Sequence, residues 1–278
     1  MHGKTCLITG ATAGIGKAAA QSLAQMGAEV VLVGRNREKC ITTVESITAN
    51  TGNNSVEYLL ADLSSQAQIR RLAEKFQAQH NRLDVLLNNA GGFFLWRQES
   101  VDGIEMTFAL NHLNYFLLTN LLLETLKAST PSRVVNVSSN SHYGSHINFD
   151  NIEGKHRYRG WQAYGQSKLG NVLFTYELAR RLECTGVTCN ALHPGSVATD
   201  IGKNNGWYAR LFLWVIHHTA LTPQQGARIS IYLASSPDAA GVTGKYFVKE
   251  KPVESDPASY DLDIAKRLWE VSAEMTGL

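Results

Sequence analysis

Thr9-Gly10-Ala11-Thr12-Ala13-Gly14-Ile15-Gly16 is the stretch on which the reading of this chain turns. Before it, Lys4–Thr9 is a short apolar run suited to a buried strand; after it, Ile15–Met26 has an Ala-rich helical pattern. Glycines between a strand and a helix let the backbone turn tightly and approach a pyrophosphate. Free N–H groups and the helix N-terminus then face its negative charge. Gly10, Thr12, Gly14, Ile15 and Gly16 are therefore candidate dinucleotide contacts. An ordinary strand–helix turn can carry the same three glycines, so the neighbouring sequence has to decide.

Outward from this loop, short apolar runs alternate with amphipathic ones. Glu29–Val33, Val56–Leu60, Leu83–Leu87, Arg133–Val137 and Val187–Leu192 read as strands. Asn36–Asn50, Gln66–His80, about Ile104 to Lys127, and Ala163–Cys184 read as helices. Asn140–Gly160, polar and rich in Gly, His and Ser, reads as a surface insertion. Alternation of this kind predicts an α/β, Rossmann-type doubly wound parallel sheet with helices on both faces. No linker or repeat interrupts it. A single domain over 1–278 is expected, with a dinucleotide-binding half to about 138 and a catalytic and substrate half beyond.

The 278 residues are 44% hydrophobic with a formal net charge of +2, so the whole-chain field favours neither nucleic acid nor an anionic membrane. Cys6, Cys40, Cys184 and Cys189 form no C-x-x-C pair, which suits a reduced intracellular chain. No signal peptide precedes Lys4 and no apolar run reaches the length of a membrane span, so a cytoplasmic placement is expected. His142, His146, His217 and His218 do not make a metal-ligand set, and no metal is expected. The Lys155–Arg159 basic run reads as a solvated loop.

The tip of the second strand bears on which cofactor is used. An acidic residue about 20 positions beyond the glycines would bond the adenosine ribose of NAD. Here Gly34 is followed by Arg35-Asn36-Arg37. No carboxylate stands there to repel a 2′-phosphate, and two guanidiniums can pair with one, which favours NADP(H). The competing reading makes Arg35 and Arg37 ordinary solvated charges at a helix start, although cations there oppose the helix dipole.

Tyr164 and Lys168 lie four residues apart, hence on one helix face. A phenol is a weak base at neutral pH, but a nearby ammonium and an oxidised nicotinamide would both lower its pKa. It could then exchange a proton with an alcohol or carbonyl oxygen as hydride moves. Asn136-Val137-Ser138-Ser139 ends a strand at the sheet's carboxyl edge, where such folds bind ligands. Adjacent serines point opposite ways, so one of them at most can donate to a substrate oxygen. Ordinary strand-end bonding remains open for either.

With these residues on the page, the chain resembles the short-chain dehydrogenase/reductase family over essentially its whole length. The resemblance rests on the Thr9–Gly16 loop, Asp62-Leu63, Asn88-Asn89-Ala90-Gly91, Asn111, Ser139, Tyr164-x-x-x-Lys168 and Pro194-Gly195, all in the family's order. It implies that Tyr164 is the acid/base, that Lys168 holds the nicotinamide ribose and tunes the phenol, and that Ser139 donates to the substrate oxygen. Asn111 would hold a water in a relay toward Lys168. Asp62 would contact the adenine, Asn89 and Ala90 would line the adenosine side, and Val197 and Thr199 would hold the carboxamide. Asp62 as a simple cap and Pro194-Gly195 as a plain turn remain open. Within the family the chain is most similar to the retinol-dehydrogenase-like branch, on Arg133–Ser139, Asn171–Phe174, Arg267–Glu270 and the long segment between Ser139 and Tyr164. Membrane-bound members of that branch carry an N-terminal apolar anchor, whereas this sequence opens directly on strand one.

The expected reaction interconverts an alcohol and an aldehyde or ketone on a small, lipophilic molecule. Trp207–Ile216 is unusually aromatic and reads as a substrate lid, a core helix or a peripheral membrane contact. Phe93, Phe94 and Trp96 read as an aromatic wall or as packing. Ile104–Lys127 and Ala163–Cys184 resemble the helix pair through which relatives form homodimers. Two other functions stay in view. A catalytically silent nucleotide-binding regulator would lack the tyrosine or lysine, and both are present. A sugar-nucleotide epimerase would need a larger C-terminal domain.

Overall fold

The computed structural model describes residues 1–197 and 221–278. An eight-stranded sheet in the order β3-β2-β1-β4-β5-β6-β7-β8 runs through both halves of the sequence. Its strands are β1 Thr5–Thr9, β2 Glu29–Gly34, β3 Val56–Leu60, β4 Val85–Asn88, β5 Ser132–Val137, β6 Val187–His193, β7 Lys245–Val248 and β8 Lys251–Val253. The first seven pair in parallel, and β8 turns back antiparallel on β7. The parity of strand residues divides the core between the two faces. Cys6, Ile8, Val30 and Leu32 turn one way, and Leu7, Val31 and Val33 turn the other.

Helices cover both layers. On the first face, α1 (Gly14–Gln25) buries Ile15, Ala19, Ala20 and Leu23, a stripe at helical spacing, beside α8 (Pro223–Ser235). The helix α2 (Arg37–Thr51) starts on an Asn36 cap and ends at left-handed Gly52. On the second face lie α3 (Gln66–Gln79), α5 (Asn114–Leu121) and α7 (Gly160–Arg181). Strand order reverses between β1 and β4, which brings their carboxyl ends together and opens the crevice where such sheets bind ligands.

Three expectations need correction. The helix expected from Ile104 to Lys127 is broken into α4 (Met106–Phe108), a π-turn at Ala109–Leu113, α5, and α6 (Leu123–Ala128) after Leu122. A continuous apolar run hides such breaks from periodicity, because every face looks buried. The π-turn carries Asn111, whose side chain bonds the Gly92 backbone. The insertion at 140–160 is also not merely superficial. Its Ile147 is buried with Leu169 and Leu173 of α7, Phe149 and Ile152 pack against the same cluster, and His142 is fully enclosed. The helix start moves back from Ala163 to Gly160, which lies flush against the Phe94–Leu95 backbone where a Cβ would not fit.

The closing helix, α9 (Leu262–Thr276), packs across α7 and α5. Trp269 meets Phe116 at 4.9 Å and Phe174 at 5.8 Å between ring centroids, and the Arg181 guanidinium lies 4.1 Å over it. Part of the helix pair suggested for dimerisation is thus covered from within the chain. Trp269→Ala is expected to lower unfolding stability by roughly 2–3 kcal/mol, less than for a fully buried aromatic because Trp269 is only partly enclosed. Urea denaturation followed by circular dichroism checks this.

Candidate functional site

The Gly-rich loop is braced against β4 before any ligand arrives. The Thr9 hydroxyl accepts from the N–H groups of Asn89 (2.8 Å) and Ala90 (3.0 Å) and donates to the Leu87 carbonyl (3.3 Å). Asn89 returns its amide to the Thr9 carbonyl at 2.8 Å. Gly14 sits at φ +52°, and a Cβ on Gly16 would collide with the Gly10 carbonyl and the Asn89 amide. The first turn of α1 has Ala13 as its cap, with no side-chain bond and no acidic residue. Among the described residues its N–H groups have no side-chain cap, which is the condition under which a helix start holds a phosphate.

At the tip of β2, Arg35 and Arg37 are exposed. A Cβ on Gly34 would meet Cys40 Sγ and Thr12 Cγ2, both at 2.7 Å, so an acidic side chain has no room there. Asn36 is committed to the α2 cap, accepting from Lys39 N–H at 2.9 Å. Asp62 closes a turn by accepting from the Ser64 N–H (3.0 Å) and hydroxyl (2.7 Å). The Leu63 side chain is buried in the core. Val197 bridges to Leu221 and packs with Ile15 near Gly226, while Gly195 turns at φ +86° after Pro194. Thr199 and the aromatic segment 207–216 lie outside the described residues.

The remaining candidates converge on α7. Tyr164 is 9% exposed and Lys168 is 3% exposed. The Lys168 ammonium donates to the Val137 carbonyl at 3.1 Å and lies 5.6 Å from the Tyr164 ring centre. The two serines diverge as a strand end requires. Ser138 donates to the Lys168 carbonyl at 2.7 Å, a structural bond, while the Ser139 hydroxyl donates to Ser141 Oγ at 3.2 Å and lies on the side of the Tyr164 phenol, whose pKa it lowers. Asn111 donates to the Gly92 carbonyl (2.9 Å) and to Ser167 Oγ (3.0 Å), and accepts from the Gly92 N–H (2.7 Å). Gly91 fits between Asn111 and Lys168, where a Cβ would stand 3.1 Å and 3.6 Å from their polar atoms.

Burial dominates the electrostatics. It pushes the Tyr164 phenol up to about 12, against the Ser139 bond, which pulls the other way. It pulls Lys168 down to about 7. The lowering expected of the phenol belongs to the site with an oxidised nicotinamide in place; in the free chain burial sets the direction. Tyr164 in this state keeps its phenol protonated at neutral pH.

Phe93 stands edge-on to Tyr164 at 5.6 Å and packs on Trp161 at 4.4 Å, while Phe94 belongs to the core and Trp96 is exposed. Trp161 was missed in the sequence, and Thr9 was read only as the first residue of the Gly-rich stretch, without a role of its own. Trp161 sits three residues before Tyr164 and so shares its helix face, a spacing that would have found it. Thr9 acts through its hydroxyl, which bonds backbone groups of the β4 end that only the fold brings to it.

A family model described as short chain dehydrogenase matches residues 4–207. Human retinol dehydrogenase 13 is 43% identical over 285 residues, covering 99% of this chain and 85% of that protein. Human polyprenol dehydrogenase is 41% identical over 285 residues, covering 99% and 86%. Among solved structures, an uncharacterised protein from Mycobacterium paratuberculosis superposes with a TM-score of 0.81 at 31% identity, covering 99% of this chain and 94% of that one. A Pseudomonas aeruginosa RhlG/NADP active-site complex gives a TM-score of 0.71 at 29% identity, covering 89% and 94%. The chain belongs to the short-chain dehydrogenase family, in its retinol-dehydrogenase-like branch, and is an oxidoreductase for alcohol and carbonyl groups that uses a nicotinamide cofactor.

Lys168 yields a pH-dependent stability test. Its folded pKa, about 7, lies below its unfolded value of 10.5, so the unfolded chain binds the extra proton between them. The resulting penalty on the folded state is full below pH 7 and is relieved as pH rises. Wild-type apoprotein should therefore gain stability between about pH 7 and 10 through this residue, and Lys168→Met should be more stable at pH 7 and lose that rise. Chemical denaturation across the pH series measures it.

Proposed function

We propose that the chain is an NADPH-dependent reductase of small, lipophilic aldehydes or ketones, with Tyr164 as the proton donor. The observation that carries this reading is a buried Tyr164 phenol with the buried Lys168 ammonium 5.6 Å from its ring centre, held against the end of the strand that leads into Ser139. The bound dinucleotide supplies the hydride. Tyr164 supplies the proton to the carbonyl oxygen as charge builds there, and Ser139 Oγ donates a hydrogen bond to the same oxygen. Proton loss leaves a phenolate, and a protonated Lys168 stabilises it from the ring side. Asn111, fixed to Gly92 beside Lys168, stands where a relay to solvent would pass.

Arg35 and Arg37, exposed beside a Gly34 that admits no acid, support NADP(H) over NAD(H). The Phe93–Trp161 pair beside the phenol supports an apolar substrate. Cys6, Cys40 and Cys189 are buried free thiols, which supports a reducing, cytoplasmic setting. Among the described residues, no helix is long and apolar enough to cross a membrane.

Following loss of reduced cofactor with a panel of lipophilic aldehydes and ketones tests the proposal. Turnover is expected with NADPH in preference to NADH, and Tyr164→Phe should cost roughly 10²–10⁴-fold in kcat. Replacing Arg35 and Arg37 with alanine should raise KM for NADPH by roughly tenfold per lost guanidinium contact, with little change for NADH. A preference for NADH would overturn the cofactor assignment, and an unimpaired Tyr164→Phe would overturn the acid.

A further inference from the structure

We infer that His142 is a positioning residue: as a neutral imidazole it clamps the turn carrying Ser139 to the segment after β8, and protonation releases the clamp. The inference rests on four directed bonds. His142 Nδ1 lies 2.7 Å from the Ser139 carbonyl, which can only accept, so Nδ1 carries the proton. His142 Nε2 lies 3.1 Å from the Asp256 N–H, which can only donate, so Nε2 presents its lone pair. The same Asp256 reaches back with its carboxylate to accept from Gly144 N–H at 2.7 Å, and Tyr143 donates its hydroxyl to the Glu254 carbonyl at 2.6 Å. The segment is itself pinned to α7, where Ser255 Oγ meets the Tyr176 hydroxyl at 2.7 Å.

Both ring nitrogens are thus spoken for, and only one protonation state satisfies both partners. A second proton on Nε2 would face the Asp256 N–H, setting donor against donor. The ring is buried and packed between Tyr143 at 4.1 Å and Tyr246 at 4.7 Å, so it cannot turn to find water. The titratable groups around it are Tyr143 on its own turn, Asp256 from the C-terminal segment, His193 at the end of β6 and Tyr246 on β7. His193 accepts from the Asn140 N–H at 3.3 Å, so it too serves the turn as a neutral ring. Burial lowers the His142 pKa, and the Ser139 carbonyl and Asp256 oppose that without reversing it.

Ser139 depends on this turn for its orientation. Its hydroxyl accepts from Ser141 N–H at 3.1 Å, and its carbonyl takes both the His142 N–H (3.1 Å) and the ring. The hydroxyl donates to Ser141 Oγ at 3.2 Å on the same turn, so loss of the clamp moves the group proposed to donate to the substrate oxygen, an effect that falls on kcat rather than on cofactor binding. The catalytic half of the inference rests on the role of Ser139 proposed above.

Two variants and one spectrum test it. His142→Gln keeps an amide that can donate to Ser139 and accept from Asp256 and does not titrate. His142→Phe keeps the ring packing and loses both bonds. Long-range ¹⁵N correlation spectra of wild type should show His142 in the Nδ1–H form at neutral pH, with protonation below 6.5 accompanied by faster amide exchange at Asp256 and Gly144. For His142→Phe, kcat should fall roughly tenfold or more with KM for NADPH unchanged. His142→Gln should recover most of it and flatten the acid limb of the kcat profile. An Nε2–H tautomer would overturn the clamp whether or not any substrate is turned over. The expected tautomer with an unaltered kcat in His142→Phe would overturn the link to Ser139.

Discussion

An amine buried with a backbone carbonyl as its bonded partner is the constraint around which this molecule is arranged. Lys168 reaches the Val137 carbonyl through a sheet end that has to stay fixed for the contact to exist. Ser138 holds the Lys168 backbone in return. The π-turn at Ala109–Leu113 adds a residue to one helical turn and presents Asn111 to the Gly91–Gly92 backbone beside that amine. Removing water from this spot is what displaces both Lys168 and Tyr164 from their ordinary titration ranges. Both shifts come from burial, and the fold has to be rigid enough to sustain it.

Two supports supply that rigidity. On the nucleotide side, Thr9 and Asn89 tie the ends of β1 and β4 together, so the Gly-rich loop keeps its shape without a ligand. On the other side, α9 lies over α5 and α7 and reaches the π-turn itself, since His112 Nε2 meets Ser272 Oγ at 2.9 Å. Burial holds His112 down to about 4, so this contact involves a neutral ring across the working pH range. The C-terminal helix therefore helps shape the neighbourhood of Asn111 although it contributes no group to the cleft.

Much of this was legible in the sequence. Strands β1 to β6 declare themselves as short apolar runs, and the order of glycines, Asn-Asn-Ala-Gly and Tyr-x-x-x-Lys places the cleft before any coordinates are seen. The break at Asn111 was not legible, because a helix apolar on every side has no periodicity to lose. Nor was the tucking-in of residues 140–160, whose polar composition hides that His142 and Ile147 are enclosed. The upward direction of the Tyr164 shift in the free chain was not legible, for a physical reason. Charge proximity can be guessed from spacing, but desolvation depends on every neighbour the fold brings in, and here it is the larger effect.

The most direct test of this account is the titration of Tyr164 itself, in protein carrying ¹³C-labelled tyrosine, with Tyr164→Phe to assign the signal. The account predicts a phenol still protonated at pH 10.5 in the free protein, in keeping with a pKa raised to about 12. It also predicts that saturating oxidised cofactor, which brings a positive ring to the site, moves that value downward. A phenol that ionises at or below its ordinary 10 without cofactor would contradict it, because burial would then not be what holds Tyr164 as a proton donor.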